Sequence, residues 1–362
     1  MTRKSMAFLF TMLVVSYSSD QPFGGSLRAS GGSGSGSGGS TSTTQGVAWL
    51  GTLGGSTSQA YGSSSTGTVV VGYAANASGQ YRAFRWTAAG GLKDLGNFGY
   101  AYAVAYGVSG DGSVVVGEAW NASFQQRAFR WTAATGLQDL GTFGGPYATA
   151  ADVSADGAVV VGQAWTPNGE EHPFRWTAAG GMQDLAGGLS GGAYGVSATG
   201  SVIVGATYDT NGQPHAFRWS VAGMQDLGTL GGLSSEAFGV SGDGTVVVGR
   251  STTADGRSHA FRWTAAAGMR DLGTLGGVTS EAYAVSADGT VVVGDAQDSM
   301  GASRAFRWTA ATGVQNLSSI YAGSIGSGSY LVYATAVSGD GRHVVGYGYN
   351  RRTARYEAYS TN

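Results

Sequence analysis

Short apolar runs alternate along this chain with turns rich in Gly, Asp and Ser, and the alternation repeats at a fixed interval. One full unit is Val108 to Gly141, VSGDGSVVVGEAWNASFQQRAFRWTAATGLQDLG. It predicts four short strands bounded by turn residues. The first ends at Val108-Ser109, and a tight turn at Asp111-Gly112 leads into the second at Val114-Val115-Val116. The third covers Ala128 to Thr132, and the fourth covers Leu137 to Leu140. The Val-Ser-x-Asp-Gly-x-Val-Val-Val-Gly half recurs at 108–117, 240–249 and 285–294. Close variants stand at 63–72, 153–162, 196–205 and 337–346. The Phe-Arg-Trp-Thr tetrad starts at Phe84 and returns at Phe129, Phe174, Phe217, Phe261 and Phe306, in steps of 45, 45, 43, 44 and 45 residues.

Four antiparallel strands in such a period predict an all-β fold, a β-propeller of four-stranded blades. The two ends complement each other. Val47-Ala48-Trp49-Leu50 matches a fourth strand with no third before it, and Glu357-Ala358-Tyr359-Ser360 matches a third strand with no fourth after it. Pairing them would remove two exposed edges. The expectation is therefore a seven-bladed ring over residues 46–362, closed by the N-terminal outer strand on the C-terminal strand.

Ahead of residue 46 the pattern differs. Arg3 and Lys4 precede an apolar run from Met6 to Val15, followed by Ser16 and Ser18. This is a secretory signal pattern over 1–18. Residues 19–45 read as a Gly/Ser-rich linker. The expected location is extracellular or at the cell surface. The apolar run is too short to span a bilayer, and no integral membrane segment is expected.

Composition narrows the partners. The net charge of −2 gives no footprint for nucleic acid. With no Cys there are no disulfides or thiolate sites. The four His show no metal-ligand spacing, and neither a cofactor nor a metal is expected. Asp295 and Asp298 with Glu281 are rich in oxygen, but their spacing matches no calcium loop. Within the unit, Phe129 and Trp131 fall on one side of their strand and read as core between blades. Arg130 with Asp139, and its counterparts Arg85/Asp94, Arg175/Asp184, Arg218/Asp226 and Arg262/Asp271, read as cross-strand ion pairs.

His215-Ala216-Phe217 and His259-Ala260-Phe261, each followed by Arg-Trp and then Asp-Leu-Gly-Thr-Leu-Gly-Gly at 226–232 and 271–277, resemble the extracellular HAF-repeat family. The likeness covers about residues 46–362. Other copies depart from it: Arg82, Arg127 and Arg304 replace the His, Pro173 follows His172, and the last copy reads Glu357-Ala358-Tyr359. The resemblance implies export and a repeat-built β-fold. It implies no reaction.

Strand parity places the second-to-third-strand hairpins on one face, and their sequences differ in every unit. Variation confined to one face of a regular scaffold suits binding. Trp120, Trp165 and Tyr208 open three consecutive hairpins, with Asn121, Asn168 and Asp209 beside them. Arg250 and Asp295 begin two hairpins on the more charged opposite arc. Aromatic rings beside amides and carboxylates suit sugars, so a monomeric, exported, non-catalytic protein binding a surface glycan or a protein is expected. One alternative is a glycosidase or lyase built on Glu118, Glu170, Glu171, Glu236, Glu281 or Asp295. Another is a purely structural spacer.

Overall fold

Each Val-Val-Val-Gly segment forms the second strand of a four-strand set. The glycine is there because the first strand presses against it. A Cβ on Gly117 would fall inside the van der Waals shell of the Val104 carbonyl oxygen. The same first strand carries a β-bulge at Tyr106, so that Ala105 and Gly107 face the successive residues Gly117 and Val116. Bulges fall at the matching place, at Tyr61, Ala151, Tyr194, Phe238, Tyr283 and Thr335, in the other sets.

The computed structural model describes residues 46–362, all within one unit of the chain. The expected signal peptide and linker lie outside the described residues. The architecture is an all-β propeller of four-stranded antiparallel blades. Strands follow sequence order from inner to outer, as in Ala148–Val153, Val159–Trp165, Glu171–Thr177 and Gly181–Asp184.

The expected seven separate sheets, closed by pairing of the chain ends, are corrected on both points. Five sheets have four strands, and the remaining one is a single sheet of eight, running from Gly54–Ser63 to Gly136–Asp139. Its halves merge because Tyr81 and Tyr102 form a parallel bridge between the third strand of one set and the first of the next. The chain ends do pair: Val47 faces Thr361, Ala48 faces Ser360 and Trp49 faces Tyr359. That pairing completes one sheet but does not join it to its neighbours. The joints lie at the turns between first and second strands, where backbone N–H groups donate from set to set. Ser65 donates to Gly110 at 3.0 Å, Gly110 to Ala155 at 2.9 Å, and Ala155 to Ala198 at 3.0 Å. Ala198 then donates to Gly242 at 3.1 Å, Gly242 to Ala287 and Ala287 to Gly339 at 3.0 Å each, and Gly339 back to Ser65 at 2.9 Å.

The core lies between sets, as the tetrad suggested. Phe84, Phe129, Phe174, Phe217, Phe261 and Phe306 are buried, and Tyr359 takes the corresponding place in the last set. Phe129 packs with Val69, Val71 and Leu95 of the preceding set, with Trp131 and Leu137 beside it. The expected Arg/Asp pairs do not form, because parity puts the partners on opposite sides: Asp139 faces Phe129, and Arg130 faces Gln138. The aspartate instead meets the residue two before the Phe, as in Arg82–Asp94 at 2.9 Å and His259–Asp271 at 2.7 Å. The tetrad Arg reaches the next set's Asp-Gly turn, with Arg85 Nε donating to Gly112 O at 3.0 Å.

Asn316 replaces that aspartate once, and there a short helix, Leu317–Ile320, begins with the Asn316 side chain accepting from Ser318 N at 2.8 Å. The helix and the residues after it bury Leu317, Tyr321 and Ile325. Among the described residues no helix is long and apolar enough to cross a membrane.

Two glycines separate close approach from backbone conformation. Gly117→Ala is expected to cost about 3 kcal/mol or more in urea unfolding. Gly79 has a φ of +74° and open space around it, so Gly79→Ala should cost only about 1–2 kcal/mol. Equal costs would show that the glycine of the second strand does not set the strand approach.

Candidate ligand-binding face

The hairpins between second and third strands lie at the end opposite the ring of turn hydrogen bonds. Trp120 and Asn121 close the strand Val114–Asn121, Trp165 ends Val159–Trp165, and Tyr208 ends Ile203–Tyr208. The three aromatics are half-buried. Trp120 rests against Tyr100 and Tyr102, with ring centroids 6.3 and 6.2 Å away, and Trp165 meets Tyr147 edge-on at 5.3 Å. The polar candidates beside them have a different role from the one expected. Asn121 Oδ1 accepts from Ser123 N and Gln125 N at 3.0 Å each, and Asp209 Oδ1 accepts from Asn211 N and Gln213 N at 2.8 Å each. These are turn-forming side chains. Asn168 is an exposed turn residue.

Arg250 and Asp295 are not hairpin residues. They lie on second strands, at the position just after Val-Val-Val-Gly, opposite Glu236 and Glu281 of the inner strands. Tyr73, Glu118, Gln163, Ala206 and Tyr347 hold this position in the other sets. With the bulge residues they form an inner collar. Arg250 binds Glu236 at 2.5 Å and Glu281 at 2.8 Å, and its guanidinium lies 5.7 Å from the centre of the Phe238 ring. Burial works against the Arg250 charge, but Glu281 and Glu236 outweigh it and hold the group above its usual range. Tyr283 donates to Asp295 Oδ1 at 2.7 Å.

Glu118 is buried and accepts from Thr149 Oγ1 at 2.9 Å and from Gln126 Nε2, with Tyr106 and Tyr102 also bonded to it. Burial pushes its carboxyl up, and these hydrogen bonds oppose the rise. The collar was missed as a group, although the sequence carried its signal. After each near-invariant Val-Val-Val-Gly comes one variable position.

Glu171 departs from this pattern of satisfied carboxylates. It stands opposite Trp165 at the start of a third strand, and its Oε1 is buried with no hydrogen-bond partner. Burial raises its carboxyl to about 7, opposed by the Trp165 indole N–H. Its charge also acts on the Tyr208 phenol, which burial itself pushes up. Trp165 thus stands directly beside a carboxylate whose charge is felt at Tyr208, while Trp120 packs on rings of its own set. Glu170 is exposed, with His172 Nε2 at 3.9 Å.

The acidic trio of Asp295, Asp298 and Glu281 does not assemble. Asp298 Oδ1 accepts from Met300 N and Ala302 N at 3.0 Å each, and its carboxylate pairs with Arg304 at 3.2 Å. Among the described residues no group of acidic or His side chains is placed to hold a metal ion. A cavity of about 610 Å³ lies at the other end, where Gly46 meets Asn362, and is lined by Val47, Trp86 and His343. It holds none of the candidate residues.

No family model matches the sequence, and no curated protein matches it either. Solved structures do resemble the fold. The β-propeller domain of the Trilobed protease from Pyrococcus furiosus, described as having an open velcro topology, is 10% identical with a TM-score of 0.56. The likeness covers 83% of this chain and 95% of that one. Hydrazine synthase of Kuenenia stuttgartiensis is 12% identical with a TM-score of 0.50, over 85% of this chain and 95% of that one. TolB from Acinetobacter baumannii is 14% identical with a TM-score of 0.49, over 69% of this chain, which spans 64% of the TolB chain. At such identities the likeness shows the propeller fold alone.

Burial pushes the Asp295 carboxyl from 3.8 up to about 7, with Tyr283 opposing and Glu281 adding to the rise. The folded protein then keeps a proton that the unfolded chain releases. Stability from this group is full below about pH 4 and is lost as the pH rises to about 7, at roughly 1.4 kcal/mol per unit. In Asp295→Asn, thermal melts should fall less steeply over that window. Asp152 and Glu171, also raised to about 7 by burial, and Glu118, pushed up by burial too, would supply the remaining slope. Identical slopes in the two proteins would rule Asp295 out as a contributor.

Proposed function

We propose that this chain is an exported, non-catalytic propeller of the HAF-repeat kind that binds a surface glycan on its hairpin face. The observation that carries the reading is Glu171 Oε1, a buried carboxylate oxygen without a partner, beside Trp165 and coupled to Tyr208. A buried polar atom left unpaired is costly unless something else bonds to it. A sugar hydroxyl supplies a hydrogen bond there, while the pyranose C–H face suits the indole and phenol rings. The carboxylates in and against the collar are committed: Glu236 and Glu281 to Arg250, Asp295 to Tyr283, and Glu118 to Thr149 and Gln126. This favours binding over acid–base cleavage, which needs two carboxylates free to act on one bond. The signal-like N-terminus and the family resemblance support export.

A glycan array probed with the wild type and with Trp120→Ala/Trp165→Ala/Tyr208→Ala, matched for stability, tests the proposal. Wild type should retain defined glycans, and the triple variant should lose them by a factor of about 30 or more, as truncated anchors do. An array left empty by the wild type would favour the spacer, and identical profiles would remove these aromatics from the site. Release of reducing sugar that Glu171→Gln abolishes would overturn the non-catalytic reading.

A further inference from the structure

The hairpin after Trp120 breaks a rule that five other hairpins keep, while the seventh places the small Ala354 at a φ of 54°. In six of the turns, one N–H donates back to the carbonyl three residues earlier. The donor is Gly79, Gly169, Gly212, Gly256 or Gly301 in five sets, and Phe124 in the set that carries Trp120. The five glycines have positive φ, between 74° and 83°, and Phe124 is held at 59°. That left-handed region is one a bulky side chain enters only at a cost. The side chain is not repaid by burial. Phe124 is 60% exposed and Tyr100 beneath it 36% exposed, with ring centroids 4.9 Å apart. Tyr100 leads on to Trp120 at 6.3 Å and Trp120 to Tyr102 at 6.2 Å. Tyr102 then meets Tyr81 at 6.1 Å, and Tyr81 meets the buried Tyr73 at 5.0 Å. An aromatic track thus runs from an exposed rim towards the collar.

Its surroundings define the occupant. The hairpin's own polar groups include the Asn121 and Gln125 side chains, 3.1 Å apart, and Arg127, which binds Gln125 at 2.8 Å and faces Asp139 at 3.8 Å. The hairpin's arginine thus already faces a carboxylate. A neutral ligand with flat apolar faces and a rim of hydroxyls matches this setting better than an anion or a charged peptide.

We propose that Phe124, Tyr100 and Trp120 form a second carbohydrate subsite, a stacking platform for a neutral chain of equatorially linked hexopyranoses. This rests on the glycan-binding reading above and names its ligand class. Strain at an exposed side chain persists where function maintains it, and here the strained residue is the outermost ring of the platform.

The test is isothermal titration of the full chain with cellohexaose, comparing wild type, Phe124→Gly and Glu171→Gln, with a glycan array in parallel. Phe124→Gly restores the residue of the other turns, so its melting temperature should be unchanged or higher. Its affinity for cellohexaose should fall roughly tenfold or more. Glu171→Gln should also weaken binding. Wild-type affinity in Phe124→Gly, with Glu171→Gln weakened, would overturn the platform and leave the glycan reading standing. Array binding confined to charged glycans would overturn the ligand class alone. Wild-type affinity in both variants would overturn the platform and Glu171 together, and no glycan bound by the wild type would overturn both proposals. Capture of an aromatic-rich peptide, with cellohexaose ignored, would also overturn the platform as a sugar site.

Discussion

Everything above the turns depends on one repeated contact, the backbone N–H of a turn residue donating to the carbonyl of the next turn around the axis. The links measure 2.9–3.1 Å and return to their starting residue. They demand small side chains, which is why Ser65, Gly110, Ala155, Ala198, Gly242, Ala287 and Gly339 occupy these places. A Cβ on Gly110 would come within 2.7 Å of Ser65 Oγ and 3.1 Å of Ala155 O. The adjoining Asp-Gly turns are fixed in the same way. Ser109 Oγ donates to Asp111 at 2.7 Å and accepts from Val114 N at 3.0 Å. Little at this end is free to vary, so chemical variety is left to the opposite end.

The collar shows what that freedom is used for. Tyrosines, acids and one arginine replace one another at equivalent positions, and nearly every polar group finds a partner across a strand or a set boundary. Buried polar networks of this kind favour a single arrangement over near alternatives when all members are satisfied. Glu171, on a neighbouring third strand, stands apart from the collar with a buried unpaired oxygen beside the Trp165 ring.

Much of the fold was legible because the period repeats the same physical demands: a glycine where strands crowd, an aromatic between sets, an Asp-Gly or Thr-Gly at each tight turn. The chain-end pairing was legible because each end lacks the strand that the other provides. What stayed hidden depends on side-chain parity and backbone conformation. Arg130 and Asp139 look like neighbours in sequence pattern, but a one-residue offset puts them on opposite faces. Asn121 and Asp209 read as ligand contacts, yet their oxygens are already bonded to backbone N–H groups. The merging of two sets through Tyr81 and Tyr102 is a single tertiary contact. The helix at Leu317–Ile320 spans four residues, too few for an apolar period to register. Phe124 looked like loop variation, because its backbone angle is not written in its neighbours.

The meeting of Gly46 with Asn362 gives the fold an unusual indifference to gene order. Asn362 N donates to Gly46 O at 3.1 Å, and Gly46 N donates to Asn362 Oδ1 at 2.5 Å. They sit where each of the other sets has a covalent turn between third and outer strands. A short peptide linking these two residues would recreate such a turn, and cutting any other outer turn would recreate the present break. The same strand pairings would then arise from several cyclic orders of the repeats. Among residues 46–362, the position of the break is a property of the order of the repeats more than of the folded object.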